Sequence, residues 1–85
     1  MEITFTKNVT LEFFPCSILN YENPEDGKVL RTRTYLSGEK IILSIHHVFH
    51  DDDIEFFDGQ NGYVLINKDC FQKTPEYYWG IKQYE

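Results

Sequence analysis

The sequence predicts an all-β (mainly β) fold: one small barrel of 5–7 antiparallel strands with a short helical turn near residues 67–72. The length of 85 residues allows one domain, residues 1–85, with one hydrophobic core. Short runs of β-branched and aromatic residues alternate with polar residues, which is typical of strands. No segment of eleven or more residues has the apolar spacing of an amphipathic helix. Closure into a barrel would remove the exposed sheet edges of so many short strands.

The N-terminal half contains three strand signals. Apolar residues occupy odd positions through much of residues 2–13, with a bend expected at Lys7-Asn8, and a proline ends this run. Residues 16–28 carry Asn-Pro and Asp-Gly turn signals and are predicted as a long loop. Residues 29–36 form the next β-rich run, and residues 40–50 follow after a Ser-Gly-Glu turn.

A hairpin is predicted in the middle of the C-terminal half. Residues 51–53 are three aspartates that form an acidic loop before a short strand at residues 54–57. Asp58-Gly59 and Asn61-Gly62 are both hairpin-turn signals, so residues 63–66 are expected to return as the partner strand.

The C-terminal residues are predicted to close the fold. Residues 67–72 indicate a single helical turn, and residues 77–84 a last strand with Gly80 as a bulge. In that strand the inward-facing side chains would be Tyr77, Trp79 and Ile81, and the outward-facing ones Tyr78, Lys82 and Tyr84.

The run IEFFDGQNGYVLINKDCF, residues 54–71, resembles the distal hairpin of Src-homology-3-like barrels. In that family a short strand, a tight turn and a second strand lead into a one-turn helix that ends on a buried aromatic residue. The matching positions here are Gly62, Tyr63, Val64, Ile66 and Phe71. The resemblance implies the barrel fold. It does not extend to recognition of proline-rich peptides, because Trp79 lies in the tail and no proline follows Val64.

The charge distribution points to a basic protein partner. The net charge is −6 and the sequence pI is about 4.9, so the dense phosphate contacts of direct nucleic-acid binding are not expected. Residues 41–67 contain five acids and no Lys or Arg, and such a block can steer a basic surface toward it. The predicted partner-binding residues are Asp51, Asp52, Asp53, Glu55, Asp58, Tyr78 and Tyr84.

The cellular setting is predicted from the absence of export and membrane signals. The sequence has no apolar leader and no membrane-length apolar run, so a cytoplasmic protein without membrane contact is expected. Cys16 and Cys70 are accordingly expected to remain thiols.

The three histidines, His46, His47 and His50, are candidates for a metal or catalytic site. On a strand, His46 and His50 would lie about 13 Å apart, and His47 would face the opposite side. We therefore expect no metal, no cofactor and no catalytic residue. A metal-dependent enzyme that uses the His46–His50 and Asp51–Asp53 cluster remains as an alternative.

These features together favour a non-catalytic protein-protein interaction module. A small acidic barrel of this kind is similar to proteins of bacteriophage genomes, including anti-CRISPR proteins, some of which block nucleic-acid-handling complexes of the host. The resemblance implies an inhibitor, in the host cytoplasm, that docks an acidic surface on a basic nucleic-acid-binding site as a monomer or dimer. A structural or assembly subunit of a larger particle is a further alternative.

Overall fold

The computed structural model describes residues 1–49 and 52–82, and strands are its main secondary structure. The all-β prediction is confirmed. The strands are β1 (Glu2–Thr4), β2 (Val9–Phe13), β3 (Arg31–Tyr35), β4 (Lys40–Ile42), β5 (Ser44–Val48), β6 (Asp53–Asp58) and β7 (Gly62–Asn67). Single 3-10 turns lie at Ile18–Asn20, Pro24–Gly27 and Lys68–Cys70, and one α-helix, α1, spans Pro75–Lys82. The turn at Lys68–Cys70 confirms the predicted helical turn near residues 67–72.

The strands form three antiparallel sheets. β1 pairs with β4, β2 pairs with β3, and β5, β6 and β7 form a three-stranded sheet with β6 in the centre. Bridges at Phe14–Tyr63 and Phe5–Phe71 connect these sheets. No closed barrel is found within residues 1–49 and 52–82, since these bridges replace the continuous ladders that closure would require.

The core lies between the three sheets. Alternation along β6 and β7 directs Ile54, Phe56, Val64 and Ile66 to one face, where all four are buried. They pack with the other core residues, Ile3, Phe5, Leu11, Phe13, Leu43, Phe71 and Tyr77. Each fully buried side chain of this size contributes about 1.5–3 kcal/mol relative to exposure, so this apolar cluster fixes the arrangement of the sheets. The opposite face of the β5–β6–β7 sheet is called the outer face below.

The predicted C-terminal strand is wrong, because residues 75–82 are helical. Thr74 Oγ1 accepts a hydrogen bond from the Tyr77 backbone N–H at 3.2 Å, and Pro75 is the first helical residue. A threonine cap followed by proline is a strong start signal for a helix. Tyr77 is buried as predicted and Tyr78 is exposed as predicted, but Trp79 is 70% exposed and does not face inward. Tyr84 lies outside the described residues.

The helices are short. In the part of the chain that the structure describes, no helix is long and apolar enough to cross a membrane.

Candidate functional site

The predicted acidic surface is dispersed in the structure. Asp51 lies outside the described residues. Asp52 is exposed with a φ of 72°, and its Oδ1 lies 2.8 Å from Lys68 Nζ in an exposed ion pair. Asp53 is half-buried and accepts a hydrogen bond from Asn67 Nδ2 at 3.1 Å. These aspartates are therefore already engaged by neighbouring side chains.

Asp58 serves the hairpin turn between β6 and β7. Its Oδ1 accepts from the Gln60 backbone N–H at 2.9 Å, and its Oδ2 accepts from Asn61 Nδ2 at 2.6 Å. This is the Asx-turn chemistry that the Asx-Gly signals indicated. Asn61 Oδ1 in turn accepts from Arg31 Nη1 at 2.6 Å, so the turn is tied to β3.

The expectation that Glu55 belongs to an acidic surface is wrong, because this residue is only 2% exposed. Three groups surround its carboxylate. Ser17 Oγ donates to Oε1 at 2.5 Å, the Ile18 backbone N–H donates to Oε2 at 3.0 Å, and His46 Nδ1 lies 2.8 Å from Oε1. Since an ionised carboxylate only accepts, Nδ1 carries the proton of this contact. The hydrogen bonds compensate for burial of the charge.

A β-bulge places His46 against Glu55. Ile45 pairs with Phe56 and His47 pairs with Glu55, so His46 is the extra residue of β5. A bulge sets two residues against one on the partner strand. It therefore interrupts the alternation of side-chain direction that was predicted for His46 and His47. Residues 44–48 are a strand as predicted, but the single run predicted at residues 40–50 is divided into β4 and β5, which belong to different sheets.

In the Ser17–Glu55–His46 cluster, both the serine and the histidine contact the carboxylate of Glu55. Ser17 donates to the carboxylate, whereas in a catalytic triad the serine hydroxyl contacts the histidine. Ser17 is buried, and its Oγ also accepts from the Leu19 backbone N–H at 3.2 Å as the cap of the turn Ile18–Asn20. The cluster therefore holds residues 17–20 on the outer face of the sheet.

The alternative metal site would use the cluster of His46–His50 and Asp51–Asp53. Within residues 1–49 and 52–82, no three His, Cys, Asp or Glu side chains are grouped closely enough to hold a metal ion. His50 and Asp51, which that alternative includes, lie outside these ranges.

A cavity of about 260 Å³ lies beside Glu55, where residues 14–27 cover the outer face of β6 and β7. Its walls are mostly apolar and aromatic, and its carboxylates are those of Asp26 and Glu55. None of the described lining residues is Lys, Arg or His. The lining residues are Phe14, Cys16, Ile18, Tyr21, Asp26, Gly27, Glu55, Tyr63, Val64 and Leu65.

Two glycines allow the close contacts that shape this cavity. A Cβ at Gly27 would lie 2.5 Å from the Tyr21 side chain, so glycine permits the tyrosine to pack over its own loop. Gly62 has a φ of 107°, and a Cβ there would lie 2.3 Å from the Phe14 carbonyl oxygen. This close approach accompanies the two 2.8 Å backbone hydrogen bonds between Phe14 and Tyr63.

The ionisable side chains that line the cavity are those of Cys16, Tyr21, Asp26, Glu55 and Tyr63. Burial raises the pKa of the Cys16 thiol, and the carboxylates of Asp26, Glu22 and Glu55 raise it further because they disfavour the thiolate. Asp26 is stabilised as an anion, since hydrogen bonds from the backbone N–H groups of Asn23 and Glu22 hold its pKa below the ordinary value.

Exposed apolar side chains border the cavity. Ile18 is 54% exposed and Tyr21 is 53% exposed, and Leu65 lies on the strand side of the opening. We call the surface formed by Ile18, Tyr21, Asp26 and Leu65 the pocket face. Three apolar residues nearby in the sequence are also exposed, namely Leu19, Val29 and Leu30. Apolar patches beside a cavity are typical of binding surfaces.

Other surfaces are less suited to enclose a ligand. Tyr78 and Trp79 are exposed on α1, and Lys82 Nζ lies 5.3 Å from the centroid of the Trp79 ring. A second, open groove of about 540 Å³ lies between β3, β4 and the β6–β7 turn, with mixed charges from Arg33, Lys40 and Glu2.

Sequence reasoning identified Glu55 for a different role and missed the pocket face. The sequence predicts residues 16–28 only as a loop. The turn signals at Asn23-Pro24 and Asp26-Gly27 are the only part of the pocket region that it indicates. The burial of Glu55 depends on contacts with residues 37 and 38 positions away in the chain.

Comparison with protein-family models, curated proteins and solved structures finds no match to this chain.

Proposed function

We propose that the protein is a non-catalytic protein-binding domain whose pocket face docks on a basic surface of its partner. The observation that carries this proposal is the cavity itself: it has apolar walls, carboxylates and a border of exposed apolar side chains. Interfaces commonly combine buried apolar anchors with a polar rim.

Charge supports a basic partner. The chain carries a net charge of −6, and the loop at the cavity contributes Glu22, Glu25 and Asp26. Opposite charge on the partner would accelerate association and favour the correct partner over others.

A basic nucleic-acid-binding site of a larger complex is the partner surface that we favour. Such sites concentrate Lys and Arg to neutralise phosphates, and an acidic protein can occupy them instead. In this proposal the protein is an inhibitor of the phage type, and it acts by excluding nucleic acid.

The test compares two matched variants of an exposed isoleucine. Ile18→Ser alters the pocket face, whereas Ile42→Ser alters a side chain that is 74% exposed on β4 and lies outside the cavity lining. Proteins captured by the wild-type chain and by Ile42→Ser, but lost with Ile18→Ser, would be purified and titrated by calorimetry.

We expect Ile18→Ser to weaken binding of such a partner by about tenfold, as loss of an interface anchor does, and Ile42→Ser to change it by less than about twofold. The affinity should fall as salt rises, and the chain should displace nucleic acid from the partner. Equal capture by both variants would contradict the assignment of the pocket face. Binding that is insensitive to salt would contradict the basic partner.

A further inference from the structure

The structure assigns the cavity beside Glu55 as the binding site for one arginine side chain of the protein partner. This inference rests on the proposed protein-binding function and specifies the group that the pocket face recognises. It is argued from the size of the cavity, its charge and the chemistry of its walls.

The size fits a single side chain. A dry cavity of about 150 Å³ accommodates a benzene ring, and pockets for drug-sized ligands begin at about 300 Å³. The cavity of about 260 Å³ therefore has room for one long side chain, and it is small for a nucleotide-sized cofactor.

The carboxylates select a cation. Glu55 accepts three hydrogen bonds, whereas a carboxylate has about four acceptor positions. Asp26 uses Oδ2 to accept from the backbone N–H groups of Glu22 and Asn23, each at 3.0 Å. Both groups therefore have acceptor positions that these hydrogen bonds do not use. The field of these carboxylates already disfavours a second anion at Cys16.

The walls favour arginine over lysine. The lining residues include Tyr21 and Tyr63, together with the apolar residues Phe14, Ile18 and Leu65. A guanidinium group stacks on aromatic rings and is less strongly hydrated than an ammonium group, so it enters such a site at a smaller desolvation cost. Its five donors can also serve more than one acceptor group.

The experiment uses the full, isotope-labelled chain and three small probes in a nuclear magnetic resonance titration. The probes are N-acetyl-arginine N-methylamide, the corresponding citrulline derivative, which has nearly the same shape without the charge, and the lysine derivative. The amide signals of Ile18, Tyr21, Gly27 and Leu65 report on the cavity, and those of Arg33 and Ile42 report on the second groove.

We expect the arginine probe to shift the cavity signals and to bind about fivefold to tenfold more tightly than the citrulline probe. Asp26→Asn, which keeps an oxygen acceptor in the loop, should reduce this preference to about twofold or less. Glu12→Gln, an equal loss of charge on β2, should leave it unchanged. Folding of each variant is verified from the dispersion of its own spectrum. If Asp26→Asn fails to fold, Tyr21→Ala replaces it and should weaken arginine binding by removing a stacking surface.

Several results would overturn the inference. They are equal binding of the citrulline and arginine probes, tighter binding of the lysine probe, shifts confined to the second groove, and no binding of any probe at tens of millimolar. None of them decides the proposed function, because the comparison of Ile18→Ser with Ile42→Ser tests partner binding independently of the anchor residue.

Discussion

Replacement of Glu55 by glutamine is expected to destabilise the protein and to loosen the loop that covers the outer face. Glu55 is buried in the centre of β6 and accepts hydrogen bonds from Ser17, Ile18 and His46. Glutamine has nearly the same shape, so Glu55→Gln removes charge and acceptor capacity while it leaves packing almost unchanged.

The magnitude follows from these contacts. A hydrogen bond to a charged group contributes about 1.5–3 kcal/mol, and a neutral one about 0.5–1.5 kcal/mol. The glutamine amide can accept at one oxygen only, and its NH₂ group would then oppose either the Ile18 N–H or the donors at the other oxygen. Loss of one bond and weakening of the others is partly offset by the lower desolvation cost of a neutral group. We expect a net loss of about 2 kcal/mol, which lowers the Tm of a domain of this size by about 8–16 °C.

Urea unfolding and thermal unfolding measure this loss, with Glu12→Gln on the exposed side of β2 as the matched control. The control should remain within about 0.5 kcal/mol of the wild type. Hydrogen exchange adds a local readout, since the amide of Ile18 should lose protection in Glu55→Gln. If Glu55→Gln is as stable as the control, or if Ile18 exchanges at the wild-type rate, the carboxylate does not anchor the loop.

Three further predictions concern positions that the structure distinguishes clearly. Gly62→Ala should lower the free energy of unfolding by about 3 kcal/mol or more in urea, because of its positive φ and a backbone clash, whereas Gly59→Ala, which meets open space, should change it little. In the same assay, Trp79→Ala should keep the free energy of unfolding within about 0.5 kcal/mol of the wild type because the side chain is exposed, and Tyr77→Ala should lower it by about 3 kcal/mol because the side chain is buried. The opposite order would support the inward-facing tryptophan. Asp26→Asn should remove a pH-dependent part of the stability, because backbone N–H donors lower the folded pKa of Asp26. Its contribution is present above the ordinary pKa of about 3.8 and is lost as pH falls through the folded pKa, so the unfolding free energies of the variant and the wild type should approach each other in acid. A difference that stays constant through an acid titration followed by urea unfolding would contradict this.

The hairpin of β6 and β7 could be predicted because its signals are local. The β-rich runs at residues 54–57 and 63–66 predicted the two strands, and the Asx-Gly pairs predicted the turn between them. Glu55 was predicted as part of an acidic, partner-binding surface, whereas it is only 2% exposed. The prediction of exposure failed because residues 14–27 cover the outer face, and a loop without hydrophobic periodicity does not indicate where it packs.

The C-terminal helix was mistaken for a strand because its apolar residues were compared with the wrong period. Tyr77 and Ile81 are four residues apart, so on a helix they share the face that packs on the core, while Trp79 points away. Gly80, expected as a strand bulge, lies where a Cβ would be 2.8 Å from Ile45 Cδ1. The glycine therefore permits close packing of α1 on β5.

The anchoring of the loop explains why its exposed apolar residues favour a binding role. Ser17 and Ile18 are attached to the sheet through Glu55, yet the side chains of Ile18 and Tyr21 remain about half exposed. A loop held in one conformation binds with less loss of conformational entropy than a disordered one, so this attachment would increase affinity for a partner. Glu55→Gln should therefore weaken partner binding even at temperatures where the variant is fully folded. If the folded variant binds the partner with unchanged affinity although its Ile18 amide exchanges faster, the attachment of the loop does not contribute to partner binding.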